Sequence, residues 1–188
     1  LPVSPTRLAS ELAGRHGRQV HGCKLATSAI MRASQREGVV FAGAEGGGYV
    51  FPALHPAYDG LLAFGKLLEL LAAHDTSLGA AVAALPRPSV VKRRVPTAWE
   101  RKGTVMRQVV EAAKGRRVDD TDGVKVFHRP AAAPGDGESA AYGDDWALVI
   151  PDTVEPITHL WTEAGSEADA VALADEYEER IRRVAETA

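Results

Sequence analysis

The sequence predicts two blocks, an α/β layered block followed by an α+β block with an antiparallel sheet. Three observations point there. Helix-period and strand-like runs alternate through residues 1–85, which is the pattern of a layered α/β arrangement. A proline-bracketed stretch, Pro86 to Pro96, then breaks the periodicity. Beyond it one helical pattern, three short strand patterns and a closing helical pattern follow in turn.

The elements follow in order. Ser4 and Pro5 suit the N-cap and first turn of a helix ending near Gly17, with a short strand at Gln19 to His21. A second helix is expected from Thr27 to Arg36. Val39-Val-Phe-Ala-Gly-Ala-Glu-Gly-Gly-Gly-Tyr-Val-Phe-Pro52 reads as strand, glycine turn, strand, because apolar runs flank a turn that holds one carboxylate. Leu61 to His74 is apolar on nearly every face, so it should be buried or held in an interface. Thr76 or Ser77 caps a helix through Leu85. The boundary is expected inside Pro86–Pro96, giving a first block at 1–88, a linker at 89–96 and a second block at 97–188.

In the second block Thr97 is placed to cap an amphipathic helix through Lys114, with Trp99, Val105, Met106, Val109 and Val110 apolar. Strands are expected at Gly123–His128, Asp145–Ile150 and Ile157–Thr162, and a last helix from Glu167 to Ala185. The low-complexity stretch from Pro130 to Gly143 is poor in the apolar residues that offset ordering entropy, so it is expected to be mobile and without chemistry.

Composition excludes several classes. The chain of 188 residues is 45% hydrophobic and 25% charged, as in ordinary globular proteins. A net charge of -3 argues against a nucleic-acid footprint, and Lys92-Arg-Arg94 reads as a solvated edge strand or linker. Cys23 is the only cysteine, so there is no disulfide framework, and a reducing cytosol is the expected setting. No apolar run has the length of a membrane span. No Cys/His set has zinc spacing, and the six histidines (five at loops or element ends, His159 in a strand) show no metal pattern. Asp119-Asp-Thr-Asp122 has the oxygen ligands magnesium prefers, but it runs into Gly123-Val-Lys-Val and reads as turn chemistry. The glycine turn is no P-loop, since no Gly-Lys-Ser/Thr follows it. An opening on Leu-Pro-Val without methionine is what a piece of something longer would show.

Five motifs in order carry a family resemblance. They are Val20-His-Gly-Cys-Lys-Leu-Ala-Thr-Ser28, the glycine turn at Gly43–Gly48, Tyr58-Asp-Gly-Leu61, Asp122-Gly-Val-Lys-Val126, and Trp146-Ala-Leu-Val-Ile-Pro-Asp-Thr-Val-Glu-Pro156. Together they resemble the α-D-phosphohexomutases, the phosphomannomutase and phosphoglucomutase family, over part of its third domain and all of its fourth. The resemblance implies a partial three-layer α/β domain, then an α+β domain like the TATA-binding protein, and a place in sugar-phosphate metabolism. It also implies that the catalytic phosphoserine and the magnesium loop lie in upstream domains. This chain is therefore expected to have no catalytic residue, no metal site and no cofactor of its own, with magnesium required only alongside those domains.

The departures from the family lie at its ligand positions. The sugar loop aligns with Ala44, Glu45, Gly46, Gly47 and Gly48, where the family's gripping Glu and Ser are missing, and Glu45 reads as a solvent-facing carboxylate. In the phosphate loop, at Ile150, Asp152, Thr153 and Val154, isoleucine replaces the family's arginine, aspartate its serine and valine its threonine. Losing the arginine removes a charge-assisted, bidentate contact. A carboxylate beside a phosphate about 4 Å away adds roughly 1 kcal/mol of repulsion even in water. Lys24 remains a candidate anion contact, and Thr27 stands where the family has a histidine. Hexose phosphate affinity is expected to be weak at best.

Trp99 to Arg107 and Pro151 to Trp161 further resemble the degenerate tail of actinobacterial mannose-1-phosphate guanylyltransferase-type fusion proteins. That likeness implies nucleotide-sugar supply as the setting. The partners it implies are upstream domains of the same polypeptide, among them a nucleotidyltransferase, with a homo-oligomer as the other expectation and neither nucleic acid nor membrane. Two functions are weighed: a noncatalytic module, and an active phosphohexomutase once joined to upstream catalytic domains.

Overall fold

A computed structural model describes residues 1–4, 6–128 and 145–186; Pro5 and the stretch from Pro130 to Gly143 lie outside the described residues. Contacts divide the chain into two compact units. One comprises Leu1–Pro5 with Val20–Arg87, the other Thr6–Gln19 with Pro88–Ala188.

In the first unit, helix α2 (Thr27–Ser34) packs on the two-stranded antiparallel hairpin β1 (Ala42–Gly43) and β2 (Tyr49–Val50). Its small core is Cys23, Ile30, Ala42 and Val50, with Ala33, Ala44 and Tyr58 against it. The expected strand at Gln19–His21 does not form; the backbone instead makes a parallel bridge between Pro2 and Cys23. Helix α3 (Gly60–Ala73) starts where Asp59 accepts from the Leu62 N–H at 2.9 Å, and α4 (Leu78–Ala83) where Ser77 accepts from Ala80. No residue of α3 is buried: Leu61 is 87% and Phe64 59% exposed, with Leu68 and Leu70 half exposed. Burial of α3 within the chain is not what the fold shows. Beside it, Phe41, Tyr49, Phe51, Phe64, Leu67 and Leu70 line an apolar groove of about 920 Å³.

The second unit is a five-stranded antiparallel sheet with the order β3-β7-β6-β5-β4. Its strands are β3 (Ser89–Pro96), β4 (Val118–Asp119), β5 (Val124–Phe127), β6 (Trp146–Pro151) and β7 (Ile157–Ala164). Residues 89–96, expected as a linker, are therefore an edge strand, paired along its length from Ser89↔Ala164 to Pro96↔Ile157. Lys92, Arg93 and Arg94 charge that edge, which discourages pairing with another chain. The bracketing prolines made this strand read as a linker. Two helices cover one face, α5 (Trp99–Ala112) and α6 (Glu167–Glu186). Period-two alternation sends Val95, Val124, Val126, Ala147, Val149 and Leu160 to meet Val105, Val109, Ala174 and Ile181 from those helices. Thr97 does not cap α5 with its side chain; its hydroxyl donates to the Val95 carbonyl.

The opposite face of the sheet buries Glu163 and Lys125 beside Trp146 and Leu148. Helix α1 (Arg7–Arg15) belongs to this unit, so the expected block at 1–88 is interrupted by residues 6–19. Thr6, at its N-cap, makes no side-chain cap. The Glu163 carboxylate of β7 does that work instead: Oε2 accepts from the Arg7 backbone N–H at 3.1 Å and from Trp146 Nε1 at 2.8 Å. Arg7 Nε lies 3.3 Å from Glu163 Oε1, and Arg7 Nη1 lies 3.3 Å from Asp145 Oδ1. Burial pushes the Glu163 carboxyl up, against the pull of Arg7 and Trp146. Next to it Lys125 holds its ammonium 3.9 Å from the Trp146 ring, and burial, its main perturbation, lowers its pKa to about 8.

Two outcomes follow from this face. Arg7→Met leaves a buried carboxylate without its cation and is expected to cost about 3 to 5 kcal/mol. Denaturant unfolding checks this; a loss below about 1 kcal/mol would put the pair in the class of exposed ion pairs. For Lys125 the folded pKa of about 8 lies below the ordinary 10.5, so between those values the unfolded chain binds more protons and stability rises with pH. The ammonium thus costs the fold on the order of 3 kcal/mol below pH 8. Lys125→Met should be the more stable form at pH 7, and its advantage should shrink towards pH 10.5. An advantage that stays constant across that range would show that Lys125 does not titrate this way.

Candidate functional site

The predicted positions fall in different units: Lys24, Thr27 and the glycine turn in the first, the 150–154 loop in the second. In the first, Lys24 is exposed just before α2, and Thr27 is the exposed first residue of that helix. The turn closes with the Gly47 N–H on the Ala44 carbonyl at 3.1 Å and the Ala44 N–H on the Gly48 carbonyl at 3.3 Å. Gly47 and Gly48 take φ of 92° and 83°, a region that glycine enters without strain. Glu45 is exposed at the tip. Tyr58, where the family motif has arginine, lays its ring on Gly48: a Cβ there would lie 2.9 Å from the ring. Burial raises the Tyr58 hydroxyl's pKa. An aromatic ring thus packs the turn, and the turn offers backbone but no gripping side chain among residues 44–48 except Glu45.

The 150–154 loop is the most organised polar feature of the second unit. Strand β6 ends at Pro151 and β7 begins at Ile157, so the loop is a hairpin connection whose register pairs Ile150 with His159 and Pro151 with Thr158. Asp152 turns back into it. Oδ1 accepts from the N–H groups of Val154 at 2.6 Å and Glu155 at 2.7 Å, and Oδ2 lies 2.8 Å from His159 Nε2. The Glu155 N–H foremost, then His159 and the Val154 N–H, hold the Asp152 carboxyl far below the usual carboxylate range. From helix α5 the Lys102 ammonium donates to the carbonyls of Asp152, at 2.6 Å, and Glu155, and sits 3.4 Å over the Trp99 ring. Arg94 pairs with Glu155, and the Thr97 N–H donates to the Pro156 carbonyl at 2.8 Å. Thr153 and Val154 form the tip, Val154 being 81% exposed.

Reading the sequence missed the parts played by Lys102 and His159. His159 carried a signal, since it lies opposite Ile150 in a hairpin and two residues from the loop, but pairing is needed to see it. Lys102 sits fifty residues from its carbonyls, a separation no local pattern reveals. At the other edge of the sheet the Asp119 carboxylate accepts from the Thr121 N–H at 2.9 Å, the turn chemistry expected of that acidic stretch. Among the described residues no group of three His, Cys, Asp or Glu side chains is placed to hold a metal ion, and no helix is long and apolar enough to cross a membrane.

Residues 2–88 match the family profile described as phosphoglucomutase/phosphomannomutase, alpha/beta/alpha domain III. A relative from Methanopyrus kandleri, named "Probable phosphoglucosamine mutase", is 30% identical over 184 residues, which is 98% of this chain and 38% of that protein. A "Phosphoglucomutase/phosphomannomutase" from Thermococcus kodakarensis is 28% identical over 170 residues, 89% of this chain and 34% of that one. The chain therefore spans little more than a third of the length of these curated relatives. The crystal structure of a phosphoglucomutase/phosphomannomutase family protein from Burkholderia thailandensis superposes on all of this chain and 37% of its own, with a TM-score of 0.76 at 20% identity. At that identity it speaks for the fold alone, and the fold is that of phosphohexomutase domains.

The packing at the glycine turn has a measurable consequence. Gly48→Ala meets both the positive φ and the Tyr58 ring, whereas Gly47→Ala meets the φ alone, with nothing within 4 Å. Each left-handed position costs about 1 kcal/mol for a residue with a Cβ, and the clash at Gly48 adds about as much again. Gly48→Ala should therefore be the more destabilising in denaturant unfolding. Equal losses would show that the Tyr58 ring yields freely.

Proposed function

We propose, from the premise that this chain is a phosphomannomutase/phosphoglucomutase-like protein whose residues 2–88 match the third domain of that family, that it is a noncatalytic part of a longer sugar-phosphate protein. The observation that carries this reading is the Asp152 carboxylate, which takes up the N–H groups of Val154 and Glu155. Ile150 supports it, since an apolar side chain stands where the family motif has an arginine able to grip a phosphate. The glycine turn supports it too, with Tyr58 packed on Gly48 and no serine at its tip. On this reading the hexose phosphate, the phosphoserine and magnesium are handled by parts of the longer protein outside this chain.

The exposed face of α3 fits a partner surface, because single soluble chains seldom leave so contiguous an apolar patch bare. The partner we favour is another part of the same polypeptide, with a nucleotidyltransferase as the specific form and self-association of the isolated chain as its laboratory symptom. The likeness of Trp99–Arg107 and Pro151–Trp161 to guanylyltransferase-type tails supports a cytoplasmic setting in nucleotide-sugar supply. A second reading, an active mutase when joined to catalytic domains, draws on the names of the relatives, whose similarity covers 98% and 89% of this chain.

The test is turnover. Phosphoryl transfer between hexose positions needs a donor and a cation to stabilise the charge in flight, so the purified chain should show no interconversion of hexose 1- and 6-phosphates with magnesium present. Activity above a blank, abolished together with the chain by immunodepletion, would sink the noncatalytic reading.

A further inference from the structure

We propose that Asp152 is a built-in anion that keeps an oxyanion cradle shut, so that occupancy of the loop, and not only the absent arginine, excludes phosphate from it. The inference deepens the noncatalytic reading above and rests on it.

The geometry is that of a bound anion. Two successive backbone N–H groups, of Val154 and Glu155, converge on one carboxylate oxygen at 2.6 and 2.7 Å, and the His159 ring meets the other at 2.8 Å. Convergent backbone N–H groups in a turn make a concavity that favours an anion. The donors are also held in place without Asp152's carboxylate. Lys102 ties the Asp152 and Glu155 carbonyls from the α5 side, the Asp152 N–H donates to the Ile157 carbonyl at 3.1 Å, and the Thr97 N–H holds Pro156. Charge points the same way. Lys102, His159 and Arg94 surround the loop, whereas its own carboxylates are Asp152 and Glu155, and Glu155 is engaged with Arg94.

Taking the Asp152 carboxylate away would leave two aimed N–H groups and an imidazole without their acceptor, with the Lys102 ammonium still bound to the loop's carbonyls. A tetrahedral oxyanion such as inorganic phosphate, or the phosphate of a sugar monoester, presents oxygens to the same donors. Ile150 adjoins His159 across the hairpin and offers no charge. It therefore weakens any such complex without deciding whether the cradle is open.

The experiment compares the full chain with Asp152→Gly and Asp152→Asn by amide NMR, titrating inorganic phosphate in one arm and glucose 6-phosphate in the other. In the wild type the Val154 and Glu155 amides should not shift. In Asp152→Gly they should shift with an affinity at least about tenfold above the wild type's, as for charge-assisted bonds regained. Asp152→Asn keeps an oxygen on those N–H groups and should stay closed; binding equal to that of the glycine variant would show that charge, not occupancy, excludes the ligand, and would overturn the proposal. So would a folded Asp152→Gly whose two amides ignore both ligands. A response to phosphate but not to the sugar phosphate identifies a cradle open only to the free ion, and the reverse identifies a monoester site; either supports the opening. If the glycine variant does not fold, hydrogen exchange of the wild type decides. The two amides should be protected with or without phosphate, and exchange at unprotected rates would overturn the idea. Wild-type binding elsewhere, with these amides still, would count against the noncatalytic reading and leave the closed cradle standing.

Discussion

One buried carboxylate organises the polar face of the second unit. Glu163 is wholly enclosed, and an ion there is tolerated only when surrounded by donors. It receives the first N–H of α1, the indole N–H of Trp146 and the guanidinium of Arg7. Helix α1 has no side-chain cap of its own, so the carboxylate both satisfies an open helix terminus and opposes its dipole. Asp145 repeats the pattern at the start of β6, accepting from the Gly165 N–H and pairing with Arg7. A helix that precedes most of the first unit in sequence is thereby held on the last strand of the second.

The same economy of donors governs the loop between β6 and β7. The strand ladder leaves the N–H groups of the connecting turn without strand partners. Asp152 supplies an acceptor from within the chain. Lys102 supplies the complementary cation to the carbonyls, its ammonium stacked on the Trp99 ring. The loop's turn donors and carbonyls are thus met from within the chain.

The first unit shows the opposite condition. Its hairpin has two short strands, and such a pair is marginal without further strands or a covering helix. Its core is four buried residues, while α3 leaves Leu61, Phe64, Leu68 and Leu70 in solvent. Apolar area of that extent favours association, since each buried side chain contributes about 1.5 to 3 kcal/mol. In the second unit, by contrast, the sheet and two helices close over a continuous core.

Much of this was legible in the order of residues. Alternating apolar positions announced β5, β6 and β7, the 3.6-residue period announced α5 and α6, and the paired glycines announced the turn between β1 and β2, because local periodicity and φ preferences are properties of a few consecutive residues. Ile150, Asp152 and Val154 were legible too, as residues that differ from the motif the loop resembles. Four things were not. Strand β3 looked like a linker because prolines bracket it, and only its pairing with β7 makes it a strand. Helix α1 looked like part of the first block, because nothing near Arg7 in sequence reveals Glu163 and Asp145. The parts of Lys102 and His159 depended on partners brought near by the fold. Asp152, read from sequence as a charge that repels phosphate, proved to be the loop's own ligand. Local sequence determined most of the helices and strands; tertiary structure decided where the buried charges meet, since long-range pairing is set by the packing of whole elements and leaves no local trace.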